Sequence, residues 1–159
     1  MMQQIEELLK KEYIYMDLSV GSQDELFEVL GGRLILDGYG KASYVQALKD
    51  REKKYPTALP TEEIIIAIPH TDCKYVNKSC ICIAKLKEPI IFQEMGNNDS
   101  EVKVGMVFML ALNDASTHLN TLQKVISMFS NHEMLVQLKK AATVDEIYDL
   151  VLGAVSENN

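Results

Sequence analysis

The sequence predicts an α/β fold, a single-domain sandwich in which helices flank a central mixed β-sheet. Unbroken apolar runs, typical of strands buried on both faces, occur mid-chain at Ile64–Ile68, in "SCICIAKL" and at about Val102–Leu112. Segments whose apolar residues recur every three or four positions lie on either side of these runs, and this pattern is typical of helices. Because 159 residues suit one domain of ordinary size, we expect residues 1–159 to form a single domain.

The part of the chain before the apolar runs is predicted to contain one strand and two helices. These are a strand at Glu12–Leu18, a helix over "SQDELFEVLGGRLILDG" that Ser22 caps, and a helix from about residue 42 to residue 54. For the first segment, a helix that continues from Ile5 is the alternative. Gly31 and Gly32 each weaken the capped helix by roughly 1 kcal/mol, so we expect them to allow close packing against a neighbouring element.

The part of the chain from residue 89 onwards is predicted to complete the sheet and to end in three helices. We expect "PIIF" to extend the sheet and Gln93–Glu101 to form the most polar loop. The helices are predicted from a stripe of Leu119, Leu122, Ile126 and Phe129 with Thr117 as its cap, from "HEMLVQLKKA", and from "TVDEIYDLVLG" with Thr143 and Glu146 as a capping box. Ser156–Asn159 should be frayed.

Composition and charge disfavour several classes of function. Apolar residues make up 47% and charged residues 25% of the chain, a balance typical of a packed globular protein. The formal net charge of −7 and the lack of a run of Lys and Arg disfavour binding to nucleic acid. No apolar stretch approaches the roughly 20 residues that span a bilayer, and Met1–Lys11 has the pattern of a charged amphipathic segment rather than a secretory signal. We therefore expect a soluble cytoplasmic protein that does not insert into the membrane.

The three cysteines, Cys73, Cys80 and Cys82, lack the CxxC spacing of metal and redox sites. Cys80 and Cys82 alternate within a predicted strand, so both would lie on one face as small apolar side chains. We expect unreactive thiols that remain free.

His70 is the first candidate for a chemical role. It follows Pro69 directly, where a buried strand passes into a loop, and a side chain at such a strand end is held firmly yet can meet a partner. Imidazole is a nucleophile near neutral pH and can form a covalent phosphoryl intermediate. We expect an exposed ring, although a purely structural histidine is the alternative at this point.

His118 occupies the corresponding place after the second long strand, in the first turn of the following helix. If the two strands are neighbours, His70 and His118 face one pocket, one as the attacking group and the other as a hydrogen-bond donor to phosphoryl oxygens. The first-turn amides of the helix would add a favourable site for an anion. The alternative is an ordinary polar residue in the opening turn of a helix.

Arg51, in "KDREKKYP", lies either on a solvated helix face or in the site. In the second case its guanidinium would clamp a phosphoryl group or a carboxylate with two hydrogen bonds. A metal site of His70, Asp72, Cys73 and His118 is a further alternative, because the residue types suit zinc although their spacing matches no established ligand pattern.

Three motifs in order resemble those of a known family. "IAIPHTD" is preceded by "ALKDREKKYPTAL" and followed by "LALNDASTHLNTLQKVISMFSN", and this arrangement resembles the enzyme IIA domains of the fructose/mannitol type in the phosphoenolpyruvate:sugar phosphotransferase system. The order "RE", Pro-Thr and "AIPH" most resembles the galactitol-specific branch. The similarity extends from about Tyr13 to Leu152 and implies one enzyme IIA type 2 domain over residues 1–159.

The resemblance implies a phosphocarrier function for the chain. In this family the histidine of the "PH" motif accepts a phosphoryl group from HPr on Nε2 and delivers it to a cysteine of enzyme IIB, which phosphorylates the sugar that enters through the membrane enzyme IIC. By resemblance the acceptor is His70, and His118 and Arg51 support the phosphoryl group. The use of Nε2 makes physical sense if Nδ1 donates to a backbone carbonyl and fixes the tautomer. The resemblance implies neither a metal nor a nucleotide cofactor.

One departure and two alternatives accompany the resemblance. Mannitol-type members carry a glutamate six residues before the acceptor, where this chain has Ile64, so we assign no role to the nearby Glu62 and Glu63. A regulatory protein of the nitrogen-related enzyme IIA branch, which docks to regulators according to its phosphorylation state, is the first alternative. A metal-binding domain is the second.

Overall fold

The computed structural model describes residues 3–157, and within that range the chain forms six α-helices and five β-strands. They are α1 (Ile5–Leu8), β1 (Leu9–Leu18), α2 (Gln23–Leu36), α3 (Tyr44–Lys54), β2 (Ala58–Leu59), β3 (Ile66–Ala67), β4 (Cys80–Glu94), β5 (Asn97–Ala111), α4 (Ala115–Met128), α5 (His132–Lys140) and α6 (Val144–Glu157), with a 3₁₀ turn at Cys73–Tyr75 between β3 and β4. The predicted single-domain α/β sandwich with a mixed sheet is confirmed. None of the described helices combines the length and apolar character needed to cross a membrane.

A long antiparallel hairpin of β4 and β5 is the centre of the sheet. β1 pairs with β4 in parallel and β3 pairs with β5 in parallel, while β2 is antiparallel to β3 and meets β4 at one residue pair. Ile66 lies opposite Met106, and His70 forms a parallel bridge with Leu110. The chain segments that lead to His70 and His118 are therefore neighbours. A shared site of the two histidines requires this arrangement.

Two apolar cores lie on the two faces of this sheet. Helices α1, α4, α5 and α6 cover one face, where Ile81 and Ile83 point, and helices α2 and α3 cover the other, where Cys80 and Cys82 point. Burial raises the pKa of the Cys80 thiol to about 12, and it also raises the pKa of the Cys82 thiol. All three cysteines are free, as expected from the sequence, and the two strand cysteines are buried apolar side chains.

The expectation that "PIIF" extends the sheet is confirmed, whereas the polar loop was predicted too long. "PIIF" belongs to the same strand as "SCICIAKL", across a shift in the pairing register between Lys85 and Ile90. The predicted polar loop Gln93–Glu101 is mostly hairpin, because Glu94 pairs with Asn97 and only two residues turn the chain. Gly96 has a φ of 78°, a left-handed conformation that glycine adopts without steric cost, and this permits the tight turn.

The predicted strand at Ile64–Ile68 is shorter than expected, since only Ile66 and Ala67 pair within it. Glu63 has a φ of 65°, and the amide of Ile64 donates to the carbonyl of Glu62 at 2.6 Å. This tight turn ends the extended backbone on the N-terminal side of the strand.

The predicted helices are all present, although two details of α4 differ. The N-cap is Asp114, whose carboxylate accepts from the amides of Ser116 and Thr117, so Thr117 is not the cap. The buried face of α4 carries Thr117, Thr121, Val125 and Met128, whereas Leu119 and Ile126 of the predicted stripe are exposed. The buried face of α4 is partly polar, so the spacing of apolar residues alone does not reveal it.

At the ends of other helices the predictions hold more closely. Ser22 accepts from the amide of Glu25 and Thr143 accepts from the amide of Glu146, as predicted for the two caps. β1 begins at Leu9, directly after the short α1, so the strand prediction is confirmed with an earlier start. Ser156, predicted to be frayed, lies in α6, and residues 158–159 of that prediction lie outside the described residues.

Only one of the two adjacent glycines in α2 is explained by close packing. A Cβ on Gly31 would stand 3.0 Å from Cγ2 of Val45 and 3.1 Å from Cδ1 of Leu48, both on α3. A Cβ on Gly32 would meet nothing within 4 Å. The absence of a side chain at Gly31 therefore allows α2 and α3 to approach each other.

The last turn of α3 contains a buried carboxyl group. Glu52 is 2% exposed, and its oxygens accept from the backbone amide of Thr57 at 2.7 Å and from the Thr57 hydroxyl at 2.9 Å. Burial raises the pKa of Glu52 to about 7, against the opposing effect of these two hydrogen bonds. Charge on this group is therefore costly in the folded state.

We predict that Glu52→Gln removes a pH-dependent component of stability. Because folding raises the pKa of Glu52 from 4.5 to about 7, the folded state retains a proton that the unfolded chain has lost between these pH values. The free energy of unfolding of the parent should then fall, relative to the Gln variant, by on the order of 1 kcal/mol per pH unit as the pH rises through this window, and level off above it. Urea titrations of both proteins between pH 4.5 and pH 8 measure the difference, and a difference that stays constant with pH contradicts the prediction.

Candidate active site

His70 is fixed by hydrogen bonds on both sides of Pro69. The carbonyl of Pro69 accepts from the amide of Leu110 at 3.0 Å, and Nδ1 of His70 lies 2.8 Å from the carbonyl oxygen of Ile68. A carbonyl oxygen can only accept, so Nδ1 carries the hydrogen and Nε2 carries the lone pair. The tautomer anticipated from the sequence is thus the one that the backbone imposes.

The expectation of an exposed His70 ring was wrong, because the residue is only 9% exposed. Its ring packs between the end of β3 and the first turn of α4. Among the described residues no group is hydrogen-bonded to Nε2, while Nδ1 has the Ile68 carbonyl. The ring is therefore held rigidly with one nitrogen free.

His118 lies beside His70, as the strand neighbourhood predicted. The two ring centroids are 4.9 Å apart and the ring planes cross at 72°, an edge-to-face arrangement. His118 is the fourth residue of α4, whose start is set by the Asp114 cap. The two imidazoles thus meet where the loop after β3 passes the beginning of α4.

Both imidazoles are kept neutral at pH 7 by their surroundings. Burial is the main cause that lowers the pKa of His70, with smaller contributions in the same direction from His118 and Arg51, while the hydrogen bond to Ile68 opposes them. Burial and then the charge of Arg51 lower the pKa of His118, and Asp72 opposes them. A neutral imidazole with a free Nε2 is the nucleophilic form.

Arg51 lies on α3 close enough for its charge to act on both histidines. Its Nη1 donates to Oδ1 of Asp72 at 3.0 Å, and its guanidinium stacks over the ring of Tyr55 at 4.7 Å. Its Nε is buried and has no hydrogen-bond partner among the described residues. A buried N–H without a partner is costly, so this edge of the guanidinium has an unused hydrogen-bond donor.

The cleft beside the guanidinium does not include the histidines. It has a volume of about 360 Å³ and is lined in part by Arg51, Tyr55, Thr71 and Asp72. From their positions in the sequence, both imidazoles were predicted to face one pocket. They contact each other next to this cleft rather than lining it.

The expected anion site at the start of α4 is not available. The amides of Ser116 and Thr117 both donate to the carboxylate of Asp114, at 3.0 and 3.1 Å. A phosphoryl group would have to displace this carboxylate, which already satisfies the helix N-terminus and complements its dipole. These two helix amides are therefore already engaged by the cap.

Two residues near the site, Glu52 and Thr57, were not predicted from the sequence, although one of them left a signal. They form hydrogen bonds beneath the loop of His70. Asp72, considered from the sequence only as a possible metal ligand, accepts a hydrogen bond from Arg51. Tyr44, Leu48 and Glu52 recur every four residues and form the buried face of α3. A carboxyl group at the third position of that stripe indicates a buried acid.

The two glutamates just before Ile64 lie away from the histidine pair. Glu62 and Glu63 approach His132 at 2.8 and 3.8 Å, on the α5 side of the molecule. Within residues 3–157, no three histidine, cysteine or carboxylate side chains are arranged as a potential metal site. The geometry brings together a free imidazole nitrogen, a second imidazole and a guanidinium, a set suited to receiving and stabilising a phosphoryl group.

Comparison with known proteins agrees with this chemistry. The family described as "Phosphoenolpyruvate-dependent sugar phosphotransferase system, EIIA 2" matches residues 7–153. The chain is 31% identical over 149 residues to the mannitol-specific phosphotransferase enzyme IIA component of Staphylococcus aureus, with 90% of this chain and 96% of that protein covered. It is 26% identical over 148 residues to the mannitol-specific EIICBA component of Escherichia coli, covering 91% of this chain but only 22% of that longer protein.

Solved structures share the fold. The complex of enzyme IIAMtl with phosphorylated enzyme IIBMtl from Escherichia coli matches with a TM-score of 0.74 and 25% identity, over 92% of this chain and 99% of the other. The nitrogen regulatory protein IIA-Ntr from Neisseria meningitidis matches with a TM-score of 0.75 and 26% identity, over 94% and 99% of the two chains. The chain therefore belongs to the EIIA 2 family of the phosphoenolpyruvate-dependent sugar phosphotransferase system, whose members are phosphotransferase components that carry a phosphoryl group on a histidine.

Proposed function

We propose that residues 1–159 act as one enzyme IIA type 2 domain in the cytoplasm, where His70 accepts a phosphoryl group from phospho-HPr and passes it to a cysteine of enzyme IIB. Enzyme IIB then phosphorylates a sugar that enters through the membrane enzyme IIC. The hydrogen bond from Nδ1 of His70 to the Ile68 carbonyl carries this proposal, because it leaves Nε2 as the nucleophile. No metal or nucleotide takes part in either transfer.

In the first transfer, the lone pair of Nε2 on His70 attacks phosphorus while the donor's N–P bond breaks and the donor imidazole keeps that electron pair. In the second, a thiolate sulfur of enzyme IIB attacks the same phosphorus and the N–P bond to Nε2 breaks. His118 donates a hydrogen bond to a phosphoryl oxygen, and Arg51 offers its unpartnered Nε–H and its positive charge. Both stabilise the negative charge on the oxygens during transfer.

We propose a galactitol-like sugar as the transported substrate, because the motifs "RE", Pro-Thr and "AIPH" occur in this order in the sequence. The curated relatives described above are mannitol-specific, so mannitol is the competing substrate. The sugar itself binds the membrane component, and this chain distinguishes the systems only through the enzyme IIB that it docks to.

The alternative function is that of a nitrogen-type regulatory enzyme IIA, which the similarity to the IIA-Ntr protein of Neisseria meningitidis favours. Such a protein would also be phosphorylated on His70. It would act by binding a regulator in one phosphorylation state and would not require a sugar-specific enzyme IIB.

We predict that His70→Ala abolishes phosphorylation by phospho-HPr. The substitution removes the attacking nitrogen, and His118 cannot replace it because its role is to donate. Incubation with enzyme I, HPr and phosphoenolpyruvate, followed by mass mapping, should locate acid-labile phosphate on His70 of the parent and on no residue of the variant. Far-ultraviolet circular dichroism serves as the control for folding, and undiminished phosphate incorporation by a folded variant would end the assignment.

We predict that His118→Ala slows transfer by a factor of about 10² without preventing phosphorylation, the effect typical of losing one donor to a developing oxyanion. The pKa of His70 should also rise towards its ordinary value of 6.5, since the repulsion from His118 is lost. Single-turnover transfer from phospho-HPr measures the rate, and an NMR titration measures the pKa. An unchanged rate would exclude His118 from the site.

The choice of enzyme IIB decides between the sugars and between transport and regulation. We predict that the phosphorylated chain transfers to a galactitol-type enzyme IIB at least 10-fold faster than to a mannitol-type enzyme IIB, because the partner surfaces must match for the thiolate to reach phosphorus. Rapid-quench transfer with each purified enzyme IIB measures the two rates. The reverse preference assigns the mannitol type, and failure with both favours the regulatory alternative.

A further inference from the structure

A chain of hydrogen bonds runs from a buried acid to the backbone that orients His70. The Glu52 carboxylate accepts from the Thr57 hydroxyl at 2.9 Å, and the oxygen of that hydroxyl accepts from the amide of Ile68 at 3.1 Å. The carbonyl of the same residue, Ile68, receives Nδ1–H of His70 at 2.8 Å. Glu52 is 2% and Thr57 is 3% exposed, so water competes little with these bonds.

The pairing of β2 with β3 explains why Thr57 reaches Ile68. Ala58 lies opposite Ala67 in this antiparallel pair, so the next pair of residues outward is Thr57 and Ile68. At this pair, the side-chain hydroxyl of Thr57, and not its main chain, accepts the hydrogen bond from the amide of Ile68. This side-chain bond holds the backbone at the last residue before Pro69, where the ladder itself has ended.

Glu52 sets the direction of the Thr57 hydroxyl. A hydroxyl has one proton to donate, and donation to Glu52 leaves its lone pairs for the amide of Ile68. The acid occupies the buried face of α3 with Tyr44 and Leu48, where an apolar side chain would pack without the electrostatic cost that raises the pKa of Glu52 to about 7. Packing alone does not account for a carboxyl group at this position.

We propose that Glu52 and Thr57 are positioning residues for His70. Through the amide of Ile68 they hold the carbonyl that keeps the hydrogen on Nδ1 and directs Nε2 to the incoming phosphorus. The kinetic part of this inference rests on the proposed phosphocarrier function, whereas the part that concerns the His70 tautomer does not.

The tautomer is measured directly in protein labelled with ¹⁵N at histidine. Long-range ¹H–¹⁵N spectra at pH 7.5 distinguish a protonated from an unprotonated nitrogen in each ring. In the parent protein, Nδ1 of His70 should carry a hydrogen and Nε2 should not. Thr57→Val, which keeps the shape but removes the hydroxyl, should give a mixture of both tautomers, while Thr57→Ser should restore the parent spectrum.

Thr121→Val is the matched control. Thr121 is also fully buried, but its hydroxyl has no hydrogen-bond partner among the described residues. Its replacement by Val removes the same atoms from a buried threonine without touching the chain that ends at His70. The His70 spectrum of this variant should equal that of the parent.

Transfer from phospho-HPr gives the second readout. Thr57→Val should lower kcat on the order of 10-fold with KM unchanged, because the acceptor is misaligned while the docking surface is intact, and a 1 Å misplacement can cost about 10²-fold. Thr57→Ser and Thr121→Val should keep kcat within about twofold of the parent.

The outcomes separate the two proposals. A folded Thr57→Val that keeps His70 wholly in the Nδ1–H form, with kcat unchanged, overturns the positioning role. If Thr57→Val does not fold, Glu52→Met takes its place, because it keeps an unbranched side chain of similar length but removes every acceptor for the Thr57 hydroxyl, and the same criteria apply. Absence of transfer in the parent itself would refute the phosphocarrier function, while the tautomer experiment would still decide the role of Thr57.

Discussion

The hydrogen bond between Nδ1 of His70 and the carbonyl of Ile68, at 2.8 Å, is the interaction on which the site depends. It decides which ring nitrogen holds the hydrogen and therefore which one can act as a nucleophile. Much of the surrounding structure bears on this one contact. The amide of Leu110 holds the next carbonyl of the loop, and Thr57 holds the amide of Ile68 itself.

Burial and charge then favour the neutral form of both imidazoles. Burial lowers the pKa of both His70 and His118, so neither ring must lose a proton before reaction at pH 7. Arg51 adds positive charge nearby, and its pairing with Asp72 at 3.0 Å moderates that charge. The resting site is in this way a nucleophile next to donors whose bonding capacity is only partly used.

Helix α4 serves the site by positioning the side chain of His118 and not through its dipole. Its first amides are satisfied by Asp114, which leaves the side chain of His118 as the group that the helix presents to His70. Two different residues therefore serve the start of this helix. Asp114 caps and stabilises α4, and the imidazole of His118 takes part in the site.

The sequence by itself determined the fold class, the caps at Ser22 and Thr143, and the motif around His70, because spacing and local chemistry are written along the chain. The resemblance to enzyme IIA domains implied the tautomer, on the condition that a backbone carbonyl receives Nδ1–H. Only the tertiary structure decided that this carbonyl belongs to Ile68, that His118 lies 4.9 Å away, and that Glu52 is buried beneath the loop. These facts depend on which strands pair and which helix faces the sheet, and contacts between residues far apart in the chain leave little trace in its local pattern.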